Sequence, residues 1–359
     1  MIQFSLGTLL SRKSFVVLLY FIAAAYVFGI WVWSADTPTT SFNGDPRSKL
    51  SEIVYGTAHK PYVQRVLIPI LTRSIHSVVP TSTWDTFEQK LLDIPKVQKE
   101  TVRLGWETDF LSEYLIAFSL TFLCLFGFSF AVRNLWSAFY KTEQVVTNIV
   151  PIIALLVLPP MFSTGPHYIY DFPTLLFFTL GLALLIQRKW TLFYPVFVVG
   201  CLNKETMVLL SFVFILLEWK KPLSRATILH LTAQVLLFAV IKAIISLTFA
   251  ANPGNVLDFH LYLNLHLLLM GYNWTTLVIA AFTVWFVLHD WRSKHPTLRQ
   301  SALLIIPFGL LLLWGGVITE LRDLYELYPI FLIFVLHTVF FSLLKVPYHF
   351  NRFSATLID

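Results

Sequence analysis

The sequence predicts an all-α fold: a polytopic transmembrane helical bundle of about nine to ten hydrophobic segments, with a large first extracytoplasmic loop. Three observations carry that expectation. Hydrophobic residues make up 57% of the 359-residue chain and charged residues only 13%, against roughly 25% charged in an ordinary soluble domain; the mean hydropathy is +0.71. The apolar residues fall in repeated runs near the ~20 residues that cross a bilayer. The basic residues lie in short clusters between those runs, so the net charge of +6 orients the chain and does not describe a nucleic-acid surface. Cys124 and Cys201 each sit inside an apolar run without metal-ligand spacing, which leaves them as packing residues.

Residues 1–359 read as a single integral membrane domain. Arg12 and Lys13 precede an apolar run at 14–34 that is long enough to span and has no clear small-x-small cleavage site after it, so an uncleaved signal-anchor helix is expected. The large hydrophilic insert, 35–111, carries amphipathic stretches at Val63–Val79 and Thr83–Leu92. Val66, Leu67, Ile70 and Leu71 fall there near helical spacing, which predicts short helices on the outer membrane surface. Pro46, Pro61, Pro69, Pro80 and Pro95 punctuate the insert, since each removes a backbone donor and restricts its predecessor. The runs at 112–132, 144–162, 172–187, 192–218, 226–250, 273–289, 301–318 and 327–344 make a transmembrane bundle of 112–345, and 346–359 remains as a cytoplasmic tail.

These runs are apolar all the way round, so topology has to come from charge. Arg and Lys cluster at Arg12/Lys13, Arg133/Lys141, Arg188/Lys189, Lys220/Lys221/Arg225, Arg292/Lys294/Arg299 and Lys345/Arg352. Placing each cluster inside puts 35–111, 163–171, 251–272 and 319–326 outside, with both termini cytoplasmic and the chain integral to the plasma (inner) membrane. One run breaks the alternation: 192–218 has basic clusters on both flanks. Its ~27 residues cannot cross twice at a rise of about 1.5 Å each, but they can enter and return as two short helices. A broken or re-entrant element is therefore expected, with Asn203-Lys204-Glu205-Thr206 at its tip just after Gly200; a single tilted span is the alternative.

Ionisable residues within or beside spans cost roughly 2.5–3.5 kcal/mol each on insertion scales and ask for a partner or a function. Four groups stand out. Asp45, in Phe42-Asn43-Gly44-Asp45-Pro46 and followed by Glu52, Tyr55, His59 and Lys60, is either a proton acceptor just outside the first span or an ordinary turn residue. Arg65 lies on an apolar stretch between Pro61 and Pro69, where a guanidinium can grip a phosphate or snorkel to lipid head groups. Asp171, with His167, Tyr168 and Tyr170 ahead of it, suits a helix N-cap as well as a site, and the tyrosines suit an interface belt. Finally, the Asn203–Thr206 tetrad, Lys242 and the stretch Glu320-Leu321-Arg322-Asp323-Leu324-Tyr325-Glu326-Leu327-Tyr328-Pro329 share the outer half of the bundle, with Lys204–Glu205 and Glu320–Arg322 able to neutralise one another locally. Cations, carboxylates and aromatics on one side suit a sugar linked to a lipid phosphate. No Walker loop, Rossmann fingerprint, HExxH or nucleophile elbow is present.

In these features the chain resembles the bacterial GT-C-type polytopic membrane glycosyltransferases. The resemblance rests on the signal anchor, the large first loop with an early acid, Tyr62-Val63-Gln64-Arg65-Val66-Leu67-Ile68-Pro69, Tyr170-Asp171-Phe172, Asn203-Lys204-Glu205-Thr206 and Glu320-Leu321-Arg322. It implies inverting sugar transfer from a polyprenyl-phosphate donor on the extracytoplasmic side, with a first-loop carboxylate as base and, in some members, a divalent cation. Asp45 is the closest match to that base, with Glu52 or Asp36 in reserve, because the superfamily's usual Asp-Asp, Asp-Glu and Asp-Gly-Gln signatures are absent. Arg65, Lys204 and Arg322, with His59 and Lys60, would hold the donor phosphate. Asp171, Tyr170, Asn203, Glu205, Glu320 and Lys242 would shape the cavity. Membrane lipids are the other expected partner, and no oligomeric state follows. The other readings of the same charges are a lipid or glycolipid flippase or carrier, and a non-catalytic membrane assembly subunit.

Overall fold

The structure, a computed structural model, describes residues 12–35, 42–162, 165–219, 224–256, 259–271 and 274–351; Asp36, Lys220, Lys221 and Arg352 lie outside the described residues. The order is α1 (Lys13–Ser34), then α2 (Leu50–Tyr55), α3 (Leu67–Val78), α4 (Thr81–Leu92) and α5 (Pro95–Arg103) in the insert. There follow α6 (Leu111–Phe139), α7 (Gln144–Leu156), α8 (Asp171–Ile186), α9 (Trp190–Asn203), α10 (Leu209–Glu218) and α11 (Arg225–Thr248). The last elements are α12 (Leu261–Met270), α13 (Trp274–Leu288), α14 (Pro296–Ser301), α15 (Ile305–Gly315) and α16 (Tyr328–His337). Among the described residues, 5 helical stretches are long and apolar enough to cross a membrane: Lys13–Ser34, Thr108–Phe139, Gln144–Met161, Arg225–Thr248 and Pro296–Gly315. Asp171–Ile186, Trp190–Asn203, Leu261–Met270 and Tyr328–Leu343 are apolar but shorter.

The core forms around α6 and α8, which pack along one another and against α9, α7 and α1. Helix α8 is buried on nearly every side through Phe172, Leu175, Phe178 and Leu182, and α6, packed along it, buries Leu125 and Phe128. Helix α11 is the opposite case: Leu229, Leu236, Val240 and Leu247 are exposed, an outward apolar surface suited to lipid contact.

Several expectations shift. The amphipathic stretch at 63–79 divides, because Tyr62–Gln64 closes as a 3₁₀ turn after Pro61 and Arg65 leaves the helical region at φ −96°, ψ 76°. Helix α5 was not expected, since its polar sequence PKVQKETVR has no apolar stripe; Pro95 at its first position is the one start signal. Helix α12 occupies what reads as an outer connection, and Asn264 holds it there by donating to Leu313 O (2.9 Å) and Gly316 O (2.8 Å) while accepting from Ile318 N (3.0 Å). Nor is the fold purely helical: Tyr140 and Lys141 pair antiparallel with Phe350 and His349, folding the described part of the expected tail back onto the end of α6.

The turn after α11 is bolted to the insert. Lys60 N donates to Pro253 O at 2.8 Å, and Asn252 Nδ2 donates to Gly56 O and Ala58 O at 2.9 and 3.0 Å. Gly254 makes the close approach possible: its φ is +87°, and a Cβ there would lie 2.7 Å from Lys60 O. Gly254→Ala is expected to cost about 1–3 kcal/mol, seen as a lowered melting temperature in detergent. Gly309→Ala, with nothing within 4 Å, is the control; equal melting of the two variants would remove this turn from the load on the fold.

Candidate functional site

The site is built at the helix break. Helix α9 ends at Asn203, Lys204 is extended at φ −154°, ψ 141°, and Glu205–Val208 form a 3₁₀ turn before α10. The two arms come back together: Arg188 bonds to Glu218, and the rings of Trp190 and Phe214 lie 5.4 Å apart. The polar tip is tied on three sides. Asn203 Nδ2 donates to Tyr170 O (3.0 Å) and Thr174 Oγ1 (2.9 Å), Leu202 O accepts from Val66 N at 2.9 Å, and Lys204 Nζ lies 3.0 Å from Glu326 Oε1, which Thr206 also bonds. Glu205 faces Arg65 at 3.7 Å and Lys242 at 3.9 Å. Lys204 and Glu205 thus find separate partners in place of one another. The extended backbone at 204 sends adjacent side chains to different sides.

A cavity of about 230 Å³ opens beside this tip. Asp45, Arg47 and Tyr62 of the insert form one wall; Tyr168 and Tyr170, the approach to α8, form the next; Lys204, Glu205 and Arg65 close the inner end. Val256, His260, Gly316, Glu320, Arg322 and Asp323 complete it. The tyrosine rings stack at 4.9 Å and 10°. Arg65 lies 4.0 Å above Tyr170 and Arg322 4.6 Å above Tyr168, so both guanidiniums rest on π faces. Arg322 also bonds Glu320 and lies 3.8 Å from Asp171 and 4.0 Å from Asp323.

Asp171 is not the helix cap that its position suggests. It is the first residue of α8, and its Oδ2 accepts from Tyr168 N behind it at 3.1 Å, fixing the turn that stacks the tyrosines. Nor do Tyr168 and Tyr170 form an interface belt, for both are buried.

Asp45 sits in a turn set by its neighbours. Asn43 Oδ1 accepts from Leu50 N at 2.8 Å, serving the start of α2, while its amide donates to Gly105 O at 2.7 Å. Both oxygens of Asp45 face Arg47: Oδ1 accepts from Arg47 N (2.9 Å), Oδ2 from Nη2 (2.8 Å), and Nε lies 3.1 Å from each. Tyr62 OH is 3.5 Å from Oδ2. Partial burial pushes the carboxyl up, but the hydrogen bonds and charge of Arg47 outweigh it and hold Asp45 below the usual carboxylate range.

The cavity therefore gathers Asp45, Arg65, Tyr170, Lys204, Glu205, Glu320 and Arg322, with Asp171, Asn203 and Lys242 bonding them from behind. Glu52, His59 and Lys60 do not line it. Glu52 belongs to α2, and Lys60 spends its ammonium on Ala250 O at 3.3 Å. Arg47 and His260 were not singled out from the sequence; Tyr62, Tyr168, Asp323 and Glu326 stood in stretches that were, without a role of their own. Glu326 is the most telling of them, a carboxylate at the mouth of an apolar run that is fully buried. A divalent cation finds no ready donor set: no group of three or more His, Cys, Asp or Glu converges among the described residues, and each lining carboxylate already meets a cation. Comparison with family models, curated proteins and solved structures finds no match to this chain.

Lys204 and Glu326 are a buried pair, 10% and 0% exposed in their side chains, so removing one partner strands the other. Lys204→Met or Glu326→Met is expected to cost about 3–5 kcal/mol in detergent unfolding, and the double replacement Lys204→Met/Glu326→Met to recover most of it. Strictly additive losses would show that the pair does not hold the tip.

Proposed function

We propose that the chain is an integral membrane glycosyltransferase of the GT-C type, moving a sugar from a polyprenyl-phosphate donor to a hydroxyl of a cell-envelope glycan or lipid on the extracytoplasmic side. One juxtaposition carries the reading: the first-loop carboxylate Asp45 lines the same cavity as Arg65, farther along the same insert, and the buried cations Lys204 and Arg322, which come from two other segments. The apolar exterior, with 5 helices long enough to span, supplies the setting in which a lipid-linked donor is met from the membrane.

The chemistry is a single displacement. The acceptor oxygen attacks the anomeric carbon, the bond from that carbon to the phosphate oxygen breaks, and the phosphate leaves with the electron pair. The acceptor proton passes to Asp45. Arg65, Lys204 and Arg322 stabilise charge as it gathers on the leaving phosphate, an electrostatic role that low dielectric strengthens. Tyr62 and the tyrosine stack give the sugar an aromatic boundary.

Asp45→Asn in properly inserted protein is expected to reduce transfer from a polyprenyl-phosphate sugar by about 10²–10⁴, with donor binding retained. Undiminished turnover would remove Asp45 from the role. The sign of the pH dependence follows from the lowered Asp45 pKa: its carboxylate stays ionised as the medium is acidified through the ordinary carboxylate range, and activity falls only below it. An acid limb of kcat/KM near neutrality would assign the proton to another group.

A further inference from the structure

We propose that Arg47 is a donor-operated clamp on Asp45: the incoming donor phosphate draws the guanidinium off the carboxylate, so the base is released only when donor is bound. The inference rests on the function proposed above and goes beyond it by adding a control on the base.

Four cations line the cavity, Arg47, Arg65, Lys204 and Arg322, and four carboxylates face them, Asp45, Glu205, Glu320 and Asp323. No lining cation stands without a carboxylate: Arg47 holds Asp45, Arg65 faces Glu205, and Arg322 holds Glu320 and lies beside Asp323. Lys204 is held by Glu326 from behind. An entering phosphate therefore has to share or take a cation from a carboxylate.

Which cation yields is decided by burial. The Arg65, Lys204 and Arg322 side chains are only 12%, 10% and 10% exposed, and two of them rest on tyrosine rings. Drawing any of these off its partner leaves a buried charge alone, the expensive case. The Arg47 side chain is 52% exposed and that of Asp45 24%. Water screens this pair, so separating it costs least. Arg47 is also near in sequence to Asp45, separated only by Pro46, so side-chain rotation alone opens the pair without moving a helix.

Opening the clamp alters what Asp45 can do. With Arg47 on both oxygens, the carboxylate has weak proton affinity and little free lone-pair space for an acceptor hydroxyl. Once the guanidinium turns to the phosphate, Tyr62 remains the neighbour at 3.5 Å. Across the cavity stand Arg65, Lys204, Glu205, Glu320, Arg322 and Asp323, each already engaged. His260, on the far wall, leans on Gly315 O at 3.4 Å. None of these replaces Arg47 on Asp45, so its proton affinity rises as donor binds.

The test measures that rise as proton uptake. The probe is the ethyl ester of a polyprenyl phosphate, a diester that has no titration of its own in the carboxylate range, bound to full-length protein in nanodiscs. Calorimetry in mildly acidic buffers of different ionisation enthalpy reads both affinity and protons exchanged. Wild type is expected to take up protons on binding. Arg47→Gln is expected to bind about tenfold more weakly with the uptake lost, Arg47→Lys to restore part of both, and Asp45→Asn, which leaves Arg47 uncontested, to bind more tightly than wild type without uptake. In turnover, Arg47→Gln shifts the acid limb of kcat/KM upward towards the ordinary carboxylate range and leaves that of kcat in place, a split that a merely structural loss does not produce. Wild-type binding with no uptake, or equal uptake in Arg47→Gln, overturns the clamp and leaves the transferase reading standing. Failure of wild type to bind the probe at all overturns both.

Discussion

A helix that stops inside an apolar bundle leaves backbone groups that water cannot reach, and the interruption at Lys204 is where this constraint bears hardest. The chain answers it locally and at a distance. Lys204 N still reaches Gly200 O, and Leu202 O accepts from Val66 of the insert. The side chain of Asn203 takes up Tyr170 O, just ahead of α8. The stranded ammonium of Lys204 is met by Glu326, just ahead of α16. Each repair draws another segment to the same point, so the insert, the start of α8 and the approach to the last helix converge because the break requires partners. The cavity is the space those segments leave between them.

The same site shows how an apolar bundle carries buried arginines. Arg65 and Arg322 each combine a carboxylate with an aromatic face. A guanidinium is hydrated more weakly than an ammonium and is flat, so it can lie on a ring while its edge serves anions. Lys204, a compact charge, has instead a single close carboxylate whose other oxygen, Glu326 Oε2, has no hydrogen-bond partner among the described residues. Hydrogen bonds behind the cavity are thus set by the shape of each cation as much as by its sign.

Much of this was legible in the sequence, and the limit is physical. Apolar run length and flanking charge are read along the chain one segment at a time, and they located the helices and the anomalous stretch whose flanks, Arg188 and Glu218, meet in space. The convergence of Asp45, Arg65, Lys204 and Arg322 was legible too, because all four are costly residues on one side of the expected topology. Partner choice was not. Lys204 and Glu205 are adjacent yet face different partners because Lys204 itself is extended, and Asp171 bonds backwards to Tyr168, decisions made by backbone angles that composition does not encode. His59 and Lys60 were misjudged for a related reason: their surroundings are set by the turn around Gly254, nearly two hundred residues later. Helix α12 was hidden because ten mostly apolar residues are as compatible with a loop-borne segment as with a short helix.

The walls of the cavity come from stretches widely spaced along the chain, and the final one, Gly315 to Asp323, together with Glu326, is synthesised well after the Asn203–Thr206 tip. The tip is therefore made before the carboxylate that neutralises Lys204. An uncompensated ammonium resists settling among apolar helices, so the tip gains its partner only once Glu326 has been added. Seating of the tip and closure of the bundle then depend on the same late acid.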